Sequence, residues 1–144
     1  LVNVIDGCIY DEFQRLVYEN PDMTLKEVNK TYADTYARYN TWLGEDEGYS
    51  WVFVSHNFES PMYYISYAVS GLAALQIWNM SQTDFRKAVD VWEAFIREGS
   101  CNKQYFQVVD KAGLERFTKS GAVNKICRPA LNSTSPSLDV PAFD

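Results

Sequence analysis

The sequence predicts an all-α protein, a helical array, and three observations carry that expectation. Apolar residues recur at three- and four-residue steps through successive segments, which is the period of a helix face and not the alternation of a strand. Helix start and stop residues punctuate those segments. From Ser60 to Gln82 the chain carries no charge at all, and this stretch reads as one long apolar helix.

The first element takes its stripe from Val4, Ile5, Cys8, Ile9, Phe13, Leu16 and Val17, and Glu19-Asn20-Pro21 stops it because proline cannot continue a helix. Thr24-Leu25-Lys26-Glu27 has the form of a capping box, followed by Leu25, Val28, Tyr32, Tyr36, Tyr39 and Leu43 at helical spacing until Gly44. Two such helices joined at a proline turn predict an antiparallel hairpin. Residues 44–50, GEDEGYS, read as a solvated loop, since their acids lack the regular spacing of a calcium loop. Trp51-Val52-Phe53-Val54 is either a strand or the start of a buried helical turn.

Ser60 as N-cap and Pro61 at the first helical position predict a helix over 61–80, apolar nearly all round and buried on every side. A membrane span needs about 20 apolar residues. Here Ser66, Ser70, Gly71, Gln76 and Asn79 dilute the run and no Lys or Arg cluster flanks it, so no membrane crossing is expected. Ser81-Gln82-Thr83-Asp84 starts the next helix, with Phe85, Ala88, Val89, Trp92, Phe95 and Ile96 on one face and Gly99 beyond its end. A shorter helix follows over 103–112, stopped by Gly113. A last one, capped by Ser120, carries Ala122, Val123, Ile126 and Leu131. Residues 132–144 are rich in Ser and Pro and read as a tail to a single helical region over 1–131.

With 144 residues there is room for one domain or a piece of a larger one, and an aromatic share of 15% supplies a large buried area. The formal charge of −6 argues against nucleic acid, whose phosphates call for a cationic face. A zinc site made by this chain alone would have to draw on His56, the sole histidine, and on the scattered Cys8, Cys101 and Cys127. Three buried or half-buried thiols in a reducing compartment are the simpler expectation, and with no basic apolar leader visible the expected location is the cytoplasm. The Asn29, Asn79 and Asn132 sequons then occur by chance. Leu1 is not an initiating residue, so further chain is expected upstream.

One cluster rises above a generic helical protein, SHNFESPMYYISY over 55–67. His56 precedes the apolar helix, and Tyr64 and Tyr67, like Tyr63 and Tyr67, have the spacing of one helical face. An imidazole and phenols beside the N–H groups of a helix start would make an anion-stabilising pocket, whereas packed tyrosines with wet tips are the structural alternative.

The run HNFESPMYYISYAVSGLAALQIW resembles the part of the thimet oligopeptidase and oligoendopeptidase F family that follows its zinc site. YDEFQRLVYENPDMTLKEVNKTYADTYARY is similar to the family's FQ…VY…P…T…E…Y segment, and KAGLERFTKSGAVNKI to the end of these enzymes. The resemblance implies the C-terminal part of a larger helical metallopeptidase catalytic domain that hydrolyses short peptides. It implies catalytic roles for His56, Tyr64 and Tyr67 in substrate contact and oxyanion stabilisation. Tyr64 and Tyr67 match the thimet-like Tyr-x-x-Tyr pair, while the oligoendopeptidase pattern would give a substrate-binding place to Tyr63 instead. Phe58-Glu59-Ser60-Pro61 stands, one residue shorter, where thimet-like enzymes have a glycine-rich turn and a further tyrosine.

The family's His-Glu-x-x-His motif is absent, as a single histidine requires. Zinc is therefore implied for the complete enzyme, with no metal ligand in this chain, and the chain alone is expected to be inactive. The apolar 61–80 helix, lacking upstream neighbours, leads to the expectation that the isolated chain is a homo-oligomer. The alternative function is a non-catalytic helical module that self-associates or binds a partner peptide.

Overall fold

A computed structural model describes residues 1–39, 48–99 and 102–134. Among these residues the protein is entirely helical, without strands. It divides into two compact units, Leu1–Val69 and Ser70–Asp144.

In the first unit, α1 (Val2–Glu19) and α2 (Leu25–Tyr39) form the antiparallel hairpin. The Thr24 capping box closes as its residue types dictate: the Thr24 N–H donates to Glu27 Oε2 at 2.7 Å and the Glu27 N–H donates back to Thr24 Oγ1 at 3.4 Å. That pairing holds the Glu27 carboxyl below its ordinary range. Ile9, Tyr10, Phe13 and Tyr32 make the core, with Ile5, Val17, Val28, Tyr36, Trp51, Val54 and Tyr64 packed around them. Trp51-Val52-Phe53 resolves into a 3-10 turn over Ser50–Phe53, anchored where the Trp51 indole N–H donates to Asn29 Oδ1 at 2.9 Å. The continuation of α2 to Leu43 and the acidic stretch 44–47 lie outside the described residues.

The long apolar helix begins later than its sequence signals indicate. A one-turn helix α3 (His56–Glu59) comes first and ends as the Ser60 N–H bonds the His56 carbonyl. Residues 60–64 then turn, and α4 runs over Ile65–Ser81. Pro61 is not its first residue, because Met62 has φ +60, left-handed backbone that a continuing helix cannot contain. The Met62 N–H is taken by the Gln14 side chain of α1. A partner 48 residues away in sequence overrides the local cap signal.

Near its start α4 lies against α1 at Gly7. A Cβ at Gly7 would stand 2.6 Å from Ala68 Cβ and 2.9 Å from the Ala68 backbone nitrogen, so only glycine fits. Gly7→Ala is expected to cost about 1–3 kcal/mol, as overpacking does. Urea unfolding should show it, and a midpoint equal to that of the parent would mean the two helices slide apart freely.

In the second unit, α5 (Phe85–Glu98) is capped by Asp84, whose carboxylate accepts from the Lys87 N–H at 3.0 Å. α6 (Tyr105–Lys111) stops at Gly113, which takes φ +75, and α7 (Ala122–Thr134) runs through Asn132 and Ser133. The remainder of the Ser- and Pro-rich tail, 135–144, and Cys101 lie outside the described residues. Ala73, Val109, Ala112 and Leu114 form this core, against Ile77, Met80, Val91, Ala94, Phe95, Tyr105 and Phe106.

The polar residues of α4 tie this unit together. Gln76 exchanges two hydrogen bonds with the Glu115 backbone, at 3.1 and 2.7 Å, and Asn79 Nδ2 donates to the Ile126 carbonyl at 2.8 Å. Burial on every side is not what the structure has: Ala68, Leu72 and Ala73 are buried, while Tyr67, Ser70, Ala74 and Trp78, at three- and four-residue steps, are exposed. Among the described residues no helix is long and apolar enough to cross a membrane.

Candidate active site: an imidazole among three tyrosines

The turn between α3 and α4 brings His56, Tyr63, Tyr64 and Tyr67 together in the first unit. His56 lies at the start of α3, Tyr63 and Tyr64 in the turn, and Tyr67 in the first turn of α4. Tyr63 stacks on the imidazole with ring centroids 5.7 Å apart and planes inclined by 8°. Tyr64 and Tyr67 meet it edge-on at 5.5 and 5.6 Å. The Tyr67 hydroxyl and His56 Nε2 are 3.2 Å apart, a hydrogen bond whose donor depends on the imidazole tautomer. Tyr63 and Tyr67 are exposed, whereas His56 and Tyr64 are half-buried.

The Ser66 and Tyr67 N–H groups at the head of α4 are bound to the Tyr63 and Tyr64 carbonyls at 2.9 and 3.1 Å. Of the N–H groups that a helix beginning at Pro61 would have offered to an anion, that of Met62 is taken by the Gln14 side chain and that of Tyr63 by the Ser60 carbonyl at 3.1 Å, and a four-residue α3 adds little dipole.

Behind the cluster the phenols continue inward. Tyr64 packs on Tyr10 at 4.7 Å, and the Tyr10 and Tyr32 hydroxyls are 3.1 Å apart. Burial, helped by the Tyr32 hydrogen bond and nearby anionic groups, pushes the Tyr10 phenol well above its ordinary range. Burial, then Asp6 and Tyr67, push Tyr64 up as well. Both stay protonated at neutral pH, as donors and not bases. Asp6 itself is raised by burial.

Sequence reading missed Asp6, Tyr10, Gln14 and Asn57. The signal for Gln14 was available: it sits at i+4 from Tyr10 inside the apolar stripe of α1, and a polar residue there has to be buried and bonded. It is 3% exposed, and its Nε2 donates to Asn57 Oδ1.

No group of three or more His, Cys, Asp or Glu residues able to hold a metal occurs among the described residues. Cys8 and Cys127 are half-buried, and burial pushes the Cys127 thiol up.

The helical fold with its imidazole–phenol cluster on a tight interhelical turn is similar to part of a solved structure, and that likeness relates the chain to a peptidase. The chain superimposes on a crystal structure of a protein provisionally assigned as oligoendopeptidase F, with a TM-score of 0.81 and 29% identity over 96% of this chain. The match spans 25% of that protein's length. No family model matches the chain, and no curated protein matches it.

Proposed function

We propose that this chain is the C-terminal part of a zinc metallo-oligoendopeptidase acting on short peptides, in which His56 and Tyr67, with Tyr64 and Tyr63, bind substrate and stabilise the oxyanion. The observation that carries the reading is the Tyr67–His56 hydrogen bond of 3.2 Å in a ring of tyrosines, on a fold shared with an assigned oligoendopeptidase. Attack on a peptide carbonyl places negative charge on its oxygen, and donors fixed in advance at that position lower the barrier. A phenol and an imidazole sharing one proton can present either as the outward donor, according to which of them holds it. The exposed face of Tyr63 offers a flat apolar surface for the peptide beside them.

Zinc does not fit the described residues of this chain, so the metal and its water-activating chemistry belong to residues beyond it in this reading. Two measurements test the proposal. The reading frame ahead of Leu1 should encode His-Glu-x-x-His, and the isolated chain should retain no stoichiometric zinc after dialysis. A tightly held zinc in the isolated chain, or a frame lacking the motif, would count against it.

A second reading, a non-catalytic module that self-associates, is favoured by one feature of the second unit. Ala74, Ile77 and Trp78 of α4 and Phe85, Ala88 and Trp92 of α5 line an apolar groove of about 310 Å³. Phe85 is 72% exposed and Trp92 52%, an arrangement that a second copy of the chain would cover. Sedimentation at micromolar concentration separates the cases: a monomer removes this reading, whereas a dimer without a zinc motif upstream favours it.

A further inference from the structure

We propose that Gln14 and Asn57 are positioning residues for the His56–Tyr67 pair, clamping the strained turn at Met62 that joins α3 to α4. Their value to catalysis rests on the peptidase reading above, whereas the clamp itself is a matter of geometry.

Both side chains are buried, Gln14 to 3% and Asn57 to 9% exposure. They form a relay with backbone groups at both ends. The Met62 N–H donates to Gln14 Oε1, Gln14 Nε2 donates to Asn57 Oδ1, and Asn57 Nδ2 donates to the Trp51 carbonyl at 2.7 Å. An N–H at one end and a C=O at the other leave only one orientation for each amide, so neither can flip without breaking the relay. A carboxylate at either position would lack the donor the relay needs.

What the relay grips lies one residue from the site on each side. Asn57 follows His56, and Met62 precedes Tyr63 and Tyr64. Met62 holds φ +60, a conformation that residues with a side chain rarely adopt and that persists only where surrounding interactions fix it. Gln14 supplies that interaction from α1, a helix whose register is set by the core residues Ile9, Tyr10 and Phe13. Release of the turn would let Met62 relax and would change the separation of His56 from all three tyrosines.

The sole histidine makes the test direct, because His56 alone contributes imidazole signals to the proton NMR spectrum of the 144-residue chain. The stacked Tyr63 ring should displace those signals from the position of a free histidine. In Gln14→Met, which keeps the side-chain length and removes both hydrogen bonds, at least half of that displacement should vanish while the helical circular dichroism remains. Met62→Gly added to Gln14→Met should restore it, since glycine adopts a positive φ without the steric cost that the clamp offsets. Signals unmoved in Gln14→Met, or not restored by Met62→Gly, would overturn the proposal.

Should Gln14→Met fail to fold, hydrogen exchange in the unaltered chain decides instead. The Met62 amide, on an exposed residue, should exchange on the order of a hundredfold more slowly than an unprotected amide, and an unprotected rate would overturn the clamp. Failure of the peptidase reading looks different. There Gln14→Met would still shift the His56 signals of the 144-residue chain, while the complete protein would show no peptide turnover for the substitution to lower.

Discussion

Under the proposed function, Tyr67→Phe is expected to lower turnover of a short peptide by the complete protein on the order of a hundred- to a thousandfold, the usual loss when one oxyanion donor is removed. The substitution deletes only the hydroxyl that faces His56 Nε2 at 3.2 Å. The ring keeps its contacts with Tyr63 at 5.8 Å and Tyr64 at 5.0 Å, so the fold should survive. The loss should appear in kcat more than in KM, because the interaction strengthens as charge develops on the carbonyl oxygen. His56→Ala should match or exceed it, since it also removes the surface on which Tyr63 stacks, and zinc content should be unchanged. Steady-state kinetics with metal analysis on the same preparations checks both variants. Parent-like turnover in Tyr67→Phe would reduce the cluster to packing.

Phe13→Ala should destabilise the first unit by about 3–5 kcal/mol, the range for truncating a buried aromatic ring. Phe13 is 3% exposed, meets Tyr32 edge-on at 5.2 Å and lies 5.5 Å from Trp51. Its removal opens a hole among α1, α2 and the 3-10 turn. Domains commonly have only about 5–15 kcal/mol in total, so much of this unit's stability would go. The candidate site should fail with it, because Tyr64 leans on Tyr10 within the same cluster. Urea unfolding followed by circular dichroism measures the change, and a loss below about 1 kcal/mol would mean that the cluster repacks around the gap.

How much was legible follows from where each interaction is made. The all-helical class and the Thr24 capping box depend on residues at most four positions apart, the α1–α2 hairpin follows from two apolar stripes joined at the Pro21 turn, and the structure has all of them. The Asp84 cap and the Gly113 stop are equally local. The likeness of three segments to a peptidase family also lay in the residue order, and the match to a protein provisionally assigned as oligoendopeptidase F agrees with it at the level of the fold.

By itself, then, the sequence determined which segments are helices and which side chains could do chemistry, because helix periods, caps and turns are set within a few residues of the chain. Tertiary structure decided where α4 starts and what the chemistry faces. The Pro61 start was lost to a hydrogen bond that the Met62 N–H donates to Gln14, a residue chosen by the packing of α1 and not by anything near position 61. The stacking of Tyr63 on His56 follows from that turn, as does the capture of the Met62 and Tyr63 N–H groups by Gln14 and Ser60. The exposed stripe of α4 was equally invisible, since an uncharged helix shows no preferred face until neighbours cover part of it. Buried amides act across tens of residues, and a buried polar group has to find its partner wherever the fold supplies one.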